Sequence, residues 1–526
     1  MLFYYFYLAV FAAFVIRTLK TCFYHVYLWQ LKEYRFDRFR SFLKTVEGKR
    51  LLLSPISLIK WVLLLIIFTY PKLSVGAFYM FWLVWLAETV QVVRLILHHN
   101  LRFPKFTLKS TLIILLVFSS QFNPIIFSHW SAALIFGPVL DKLLAPAVVL
   151  AVLIINIPFS VIKILLNYLS SLKIRRGRPV VIGITGSFGK TSTKEFLYQL
   201  LCDNFKVAKS PQSINTEIGL SLYILNNLKR DCDFFIAELG AYEKGEIKKI
   251  CSLYRPGVGI ITGIGNQHLD LFGSMENLIN AKFELIDSLP QTGFAVLNTG
   301  SPSMEKINKI AKTRLRNVYQ VDKNKDVRNL RIGKSDFEFD YRMNGNAIHF
   351  KANLVGIQHL ENLILAIKTA NILGVPSNIL KRKVTKITPP KNTMQILHST
   401  KELTLIDNTF NVNYQGVVAG IKYLELYRGL KAVVLNPIIE LGSDSESVHR
   451  EIGRITGNIC DYLLVTNLNY FDSLKKGILE SEKKKTSILH INEKEVNFIA
   501  DFIEPDSVVL FAGKEAAKWI PFFKKY

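Results

Sequence analysis

The sequence predicts a multi-span α-helical membrane domain followed by α/β domains built on parallel sheets, the first of them around a phosphate-binding loop. Three observations predict it. Apolar runs of span length crowd the region before about residue 170. From Pro179 onward strands and helices alternate, the order of a parallel sheet with crossover helices. Between them lies Val180-Val181-Ile182-Gly183-Ile184-Thr185-Gly186-Ser187-Phe188-Gly189-Lys190-Thr191, which reads as an apolar strand, a glycine turn and the start of a helix. Glycines let successive N–H groups point at an anion, and the helix N-terminus adds its partial positive charge. Thr185, Gly186, Ser187, Phe188, Gly189 and Ser192 would form the cradle, Lys190 would reach the β- and γ-phosphates, and the Thr191 hydroxyl would sit on Mg²⁺. One position departs from the strict pattern: Ile184 stands where the first glycine is asked for, and Gly183 is one residue early. The stretch is a nucleotide site.

Composition sets the bounds. The chain has 526 residues, half of them hydrophobic, with a formal net charge of +25, and a mean hydropathy of +0.24. That length is too great for one core. The expected domains are 1–170 (membrane), 171–396 (central, nucleotide-binding) and 397–526 (a smaller, Rossmann-like α/β domain). Much of the positive charge sits in loops between apolar runs, where the cytoplasmic side of a membrane protein carries it. No base-reading module or aromatic RNA platform accompanies it, so nucleic acid is not an expected partner. The cysteines (Cys22, Cys202, Cys232, Cys251, Cys460) are scattered without a CxxC pair, which argues against a disulfide framework or zinc site and fits a reducing cytosol.

In chain order, the first apolar segment runs from Leu2 to about Gln30 and is followed by a basic stretch including Arg35, Arg38, Arg40 and Lys44. Further spans are expected at roughly 53–70, 75–97 and 109–127. A last tract at 131–168, interrupted by Pro138, Asp141-Lys142 and Pro146, is expected as one span with a re-entrant or interfacial lead-in. Loop charge then alternates in and out, giving five spans, Met1 outside, and everything after Arg175 in the cytoplasm, at the inner membrane. In the α/β part, expected strands are Asp233–Glu238, Gly257–Thr262 and Phe294–Asn298, with helices near Ser274–Ser288, Ser303–Arg314 and His359–Leu373. Phe337–Lys351 alternates like a hairpin, and Pro389–Asn392 reads as a linker. A second series has strands Leu403–Ile406, Ala432–Leu435, Tyr462–Val465 and Ser507–Phe511.

Several short stretches add metal and phosphate chemistry. Glu238 closes an apolar strand and precedes Leu239-Gly240, the strand-end position at which α/β proteins place metal ligands. His268 follows the next strand on a loop at the same sheet edge, and Ala281-Lys282-Phe283-Glu284 lies on a helix. Together with the Gly183–Thr193 loop, Asn215-Thr216-Glu217-Ile218-Gly219, the run from Gly265 through His268 to Ser274, Asp407-Asn408-Thr409-Phe410-Asn411-Val412-Asn413, Glu440-Leu441-Gly442 and His449–Gly453, they resemble the Mur ligase family. These are the ATP-dependent amide-forming enzymes of peptidoglycan precursor synthesis, and the resemblance is nearest their D-alanyl-D-alanine-adding branch. It spans about residues 179–515.

The resemblance implies roles. ATP and Mg²⁺ would be the cofactors, Glu238 would hold a first Mg²⁺ and His268 help hold a second, and Lys282 would be a carbamylated metal ligand. Asn298 and Asn362 would lie near the adenine, and Asp407 near the ribose or phosphates. Asn215, Glu217, Asn411 and Asn413 fall on the substrate side. The implied partners are a muramoyl-peptide acceptor, UDP-linked or lipid-linked, an amino acid or dipeptide donor, and membrane lipids. Four departures accompany it. Membrane spans replace the family's UDP-gripping domain. Thr393 stands where an arginine is usual, with Lys391 nearby. Gly356-Ile357-Gln358-His359 alters a Gly-x-His-Asn run, although Asn362 keeps its spacing. No Ser-Arg pair occurs near Ala512–Glu515. The alternatives are a ligase for a lipid-linked or polymeric acceptor, which co-confinement at the membrane favours, and a non-catalytic nucleotide-sensing scaffold. Retention of Lys190, Thr191, Glu238, His268 and Lys282 favours an active enzyme.

Overall fold

A computed structural model describes the chain except residues 1, 44–47, 50, 52–53, 98–100, 129–131, 213, 266–271, 273, 301, 344, 401, 411–412, 439–440, 442–443 and 484–485. Its contacts divide it into two compact units, Met1–Leu165 and Leu166–Tyr526.

The first unit is helical. Among the described residues three helices are long and apolar enough to cross a bilayer, within Leu8–Leu31, Pro71–Leu97 and Phe136–Gly177. The five-span count exceeds this. Helix Pro55–Thr69 has 15 residues, short of the ~20 a span needs, because Tyr70 and Pro71 end it and begin the next helix at once. The interrupted last tract is also corrected: it forms one helix, Ala132–Gly177, that runs through Pro138, Pro146 and Pro158. Asp141 needs no break in this helix because it is paired, and Lys142 donates to Ser57 Oγ at 2.8 Å. Asp141 accepts from Arg17 (3.0 Å) and Lys60 (2.7 Å), and Glu88 pairs with the same two cations at 2.8 Å each. Arg17 also lies over the Trp85 ring at 5.0 Å. Four helices thus share one neutral cluster, the arrangement a low-dielectric setting demands of buried charge.

In the second unit a six-stranded parallel sheet is built from β1 (Val180–Thr185), β2 (Val207–Lys209), β3 (Phe234–Glu238), β4 (Val258–Ile261), β5 (Phe294–Asn298) and β6 (Asn317–Val321). They lie in the order β2-β3-β1-β4-β5-β6. β3 and β4 are buried along their whole length and β1 in five of its six residues, as continuous apolar strands covered by helices on both faces should be. One face packs on helices Glu246–Tyr254 and Met275–Asp287, the other on Lys190–Leu201 and the central helix Gln358–Ile372. The expected hairpin is present as β8 (Phe337–Met343) and β9 (Asn346–Ala352), extended by an antiparallel β7 (Val327–Ile332). A second six-stranded sheet follows from β10 (Gln395–Ser399), β11 (Leu403–Asn408), β12 (Lys431–Leu435), β13 (Tyr462–Val465), β14 (Ser487–His490) and β15 (Ser507–Ala512), in the order β10-β11-β15-β12-β13-β14. Only β10 in it is antiparallel.

Candidate functional site

The loop between β1 and helix Lys190–Leu201 lies at the carboxyl edge of the central sheet, where open α/β sheets bind ligands. Two of its glycines have no substitute. Gly186 (φ +151°) would place a Cβ 2.2 Å from Thr262 Oγ1, and Gly189 (φ +79°) would place one 2.1 Å from Asn362 Oδ1. Ser187 N–H donates to Gly263 O at 2.8 Å, tying the loop to the end of β4. Thr185 and Ser192 are buried, and Thr262 donates to Phe188 O. The Lys190 ammonium donates to Gly186 O at 2.8 Å, a bond that phosphate oxygens would take over. Burial holds its pKa below the ordinary lysine value, and the Glu238 carboxylate pulls the other way.

Glu238 is 3% exposed at the end of β3. Its Oε2 accepts from Thr191 Oγ1 at 2.9 Å and its Oε1 from Asn215 Nδ2 at 3.3 Å. Lys194, fully buried on the same helix face as Thr191, holds its ammonium 3.6 Å from Glu238 Oε2 and donates to Pro211 O at 3.2 Å. Sequence reasoning missed Lys194. The signal was its i, i+3 spacing from Thr191, which puts a second cation under the Glu238 carboxylate. Lys190, Asn215, Gly240 and Lys282 line a shared cavity of about 40 Å³. The Lys282 segment is not a solvated face: Lys282 is 3% exposed and Glu284 7%. Burial, and then the nearby Lys190 charge, lower the Lys282 pKa to about 7. Glu284 was a second omission. Its carboxylate accepts from Gly245 N–H (2.5 Å) and Lys248 N–H (3.0 Å), capping helix Glu246–Tyr254.

Farther along the edge, Asn298 donates to Thr262 O (2.8 Å) and Glu361 (2.9 Å), and Asn362 accepts from Thr193 Oγ1 (3.3 Å) directly behind Gly189. Two expected substrate residues have other occupations. Asn413 caps helix Tyr414–Tyr423 by accepting from Gly416 N–H at 2.7 Å. Glu217 accepts from Asn167 and pairs with Lys249 at 3.2 Å. Asp407, 4% exposed, accepts from Thr409 N–H and Oγ1 at 2.9 and 2.6 Å. His449 is fully buried and accepts from Ile438 N–H at 3.0 Å, which secures a loop. His268 and Asn411 lie outside the described residues. Among the described residues no group of three His, Cys, Asp or Glu could enclose a metal. The oxygen set of Thr191 and Glu238 still fits Mg²⁺, which takes one or two protein oxygens and completes its shell with phosphates and water.

Residues 184–370 match the family model of the Mur ligase middle domain. Those residues carry a Mur ligase middle domain. The UDP-N-acetylmuramoyl-tripeptide–D-alanyl-D-alanine ligase of Buchnera aphidicola subsp. Baizongia pistaciae is 29% identical over 280 residues, covering 53% of this chain and 61% of that one. The Bacillus subtilis enzyme of the same name is 26% identical over 281 residues, covering 52% and 60%. The chain thus spans about three-fifths of the length of these curated relatives. Among solved structures, the MurF ligase of Thermotoga maritima in complex with ADP superposes with a TM-score of 0.62 at 25% identity, over 69% of this chain and 83% of that one. The Mur ligase fold therefore extends past the matched middle domain into the second six-stranded sheet.

Proposed function

We propose that the protein is an ATP-dependent carboxylate–amine ligase of peptidoglycan precursor synthesis, adding D-alanyl-D-alanine to a muramoyl tripeptide at the cytoplasmic face of the membrane. The observation that carries this reading is the convergence of Lys190, Thr191, Glu238 and Lys282 on one sheet edge within a Mur ligase domain. A scaffold that had lost catalysis would have no reason to keep a buried lysine, a part-buried lysine and a buried carboxylate together, since each costs free energy to bury.

The acceptor carboxylate attacks the γ-phosphorus of ATP, giving ADP and an acyl phosphate. The donor amine then displaces phosphate, loses a proton and forms the amide. Lys190, released from Gly186 O, would neutralise charge on the transferring phosphoryl oxygens. Thr191 and Glu238 would hold Mg²⁺, which would supply positive charge to neutralise the phosphate oxygens. Lys194 keeps the Glu238 carboxylate in place. Asn298 and Asn362 brace the loop from behind, toward the adenine side. Lys282, with its pKa near 7, supplies a neutral amine, the form that carbamylation requires. The three apolar helices support a membrane location, and basic loops on the cytoplasmic side would attract a diphosphate headgroup.

Incubating the full chain with ATP, Mg²⁺, D-alanyl-D-alanine and a mixture of UDP-linked and lipid-linked muramoyl tripeptide, followed by mass spectrometry, tests the reading. A pentapeptide product with ADP and phosphate supports it, and the product ratio assigns the acceptor. ATP binding with no amide from either acceptor would leave the nucleotide-sensing scaffold.

A further inference from the structure

Helix Ala132–Gly177 ends in a buried polar network on the ligase domain. The Asn167 amide donates to the Glu217 carboxylate, and Asn167 Oδ1 accepts from Ser221 Oγ at 2.7 Å. Ser221 and Ser170 each share the Tyr254 hydroxyl, at 2.7 and 3.2 Å. Asn167 is 6% exposed, Tyr254 2%, and Ser170 and Ser221 not at all, while the Glu217 side chain, which also pairs with Lys249, is 12% exposed. Attachment alone does not require this. Ile174 already packs in the domain core, and Lys173 donates to Leu225 O at 2.8 Å.

The network ends at the edge of the reaction site. Glu217 is the first residue of helix Glu217–Asn227, whose cap Thr216 accepts from Gly219 N–H at 3.3 Å. The residue before the cap is Asn215, which donates to Glu238 and lines the cavity with Lys190 and Lys282. Asn215 has little freedom of its own: its carbonyl accepts from Gly240 N–H at 3.0 Å, and a Cβ on Gly240 would lie 2.8 Å from its Cγ. Wherever helix Glu217–Asn227 begins, Asn215 follows.

We propose that Asn167 is a positioning residue for the ligase reaction: by holding Glu217 it sets the start of helix Glu217–Asn227 and so aims Asn215 at the Glu238 carboxylate and the acceptor. This rests on the ligase reading above. Hydrogen bonds in a buried closed network fix orientation in a way apolar contacts do not, because each partner left unpaired is costly.

Asn167→Asp sets a carboxylate against Glu217, while the substituted side chain can still accept from Ser221. The full chain carrying N167D should lose about tenfold in kcat, the scale of lost support behind a metal ligand, with the KM for ATP unchanged. The swap N167D/E217Q restores the bond with donor and acceptor exchanged and should restore kcat. Hydrogen–deuterium exchange over residues 214–218, read on the same samples, should rise in N167D and fall again in the swap. Unchanged kcat and exchange in N167D, or loss that the swap leaves in place, would overturn the proposal. If the wild-type chain makes no amide, the ligase reading fails by itself. The exchange result then decides whether Asn167 controls the Asn215 segment.

Discussion

At Lys190 the choice of residue and its surroundings converge on phosphate chemistry. A part-buried ammonium that, among the described residues, bonds to the loop carbonyls of Gly186 and Ser187 is held at a cost that an anion would repay. Lys190→Ala should lower amide formation by about a hundredfold or more, the usual loss for a group that meets transition-state charge, with the circular-dichroism spectrum unchanged. Turnover near the wild-type level would refute the assignment. Lys282 offers a second residue-level test. Its folded pKa of about 7 lies below the unfolded value, so between pH 7 and about 10.4 the unfolded chain binds the extra proton. Stability therefore rises with pH across that window, by at most about 1.4 kcal/mol per pH unit from this group, and levels off below pH 7, where both states bind the proton. Urea melts of Lys282→Met should show a shallower pH slope than wild type. Parallel slopes would mean that Lys282 is not buried as a neutral amine.

At the scale of elements, the phosphate loop is held by two positive-φ glycines pressed against Thr262 and Asn362. Gly189→Ala should destabilise the domain by about 1–3 kcal/mol through backbone strain and weaken ATP binding as well, measured by thermal unfolding and nucleotide titration. Retained affinity with lowered stability would separate the loop from the nucleotide. This element was legible in the sequence because glycine, apolar strand and helix start are local signals. Strands β3, β4 and β5 were legible for the same reason. β2, β6 and β14 were not, because they lie at sheet edges and most of their residues are half or fully exposed, so no continuous apolar run marks them. β10 hid behind Pro389–Asn392, where chain that read as linker passes directly into an antiparallel edge strand. The contacts of Glu284 and Asn167 were not legible, and Lys194 showed only through its spacing from Thr191, because each depends on a partner far away in sequence or on depth of burial, which composition does not report.

For the molecule as a whole, the helical unit differs from the α/β unit in the apolar surface that it exposes. Exposed Leu, Ile, Val and Phe cover Pro71–Leu97 and Ala132–Gly177, while Arg17, Lys60, Glu88 and Asp141 of that unit are paired inside. Charge alternation along the chain predicts Arg38 and everything after Arg175 on the cytoplasmic side, and with three spans both lie there together. Single-cysteine labelling in sealed cells should leave position 174 and all later positions inaccessible from outside. Outside labelling there would invert the topology and contradict the proposed use of cytoplasmic ATP.

The central claim, amide formation through an acyl phosphate at this sheet edge, is tested most directly by oxygen-18. The acceptor is prepared with both oxygens of its reacting carboxylate labelled, and the phosphate released during ligation is analysed by mass spectrometry. Attack of that carboxylate on the γ-phosphorus followed by displacement by the amine predicts one labelled oxygen in each phosphate released with an amide. Unlabelled phosphate accompanying amide formation, or phosphate release without any amide, would contradict the account.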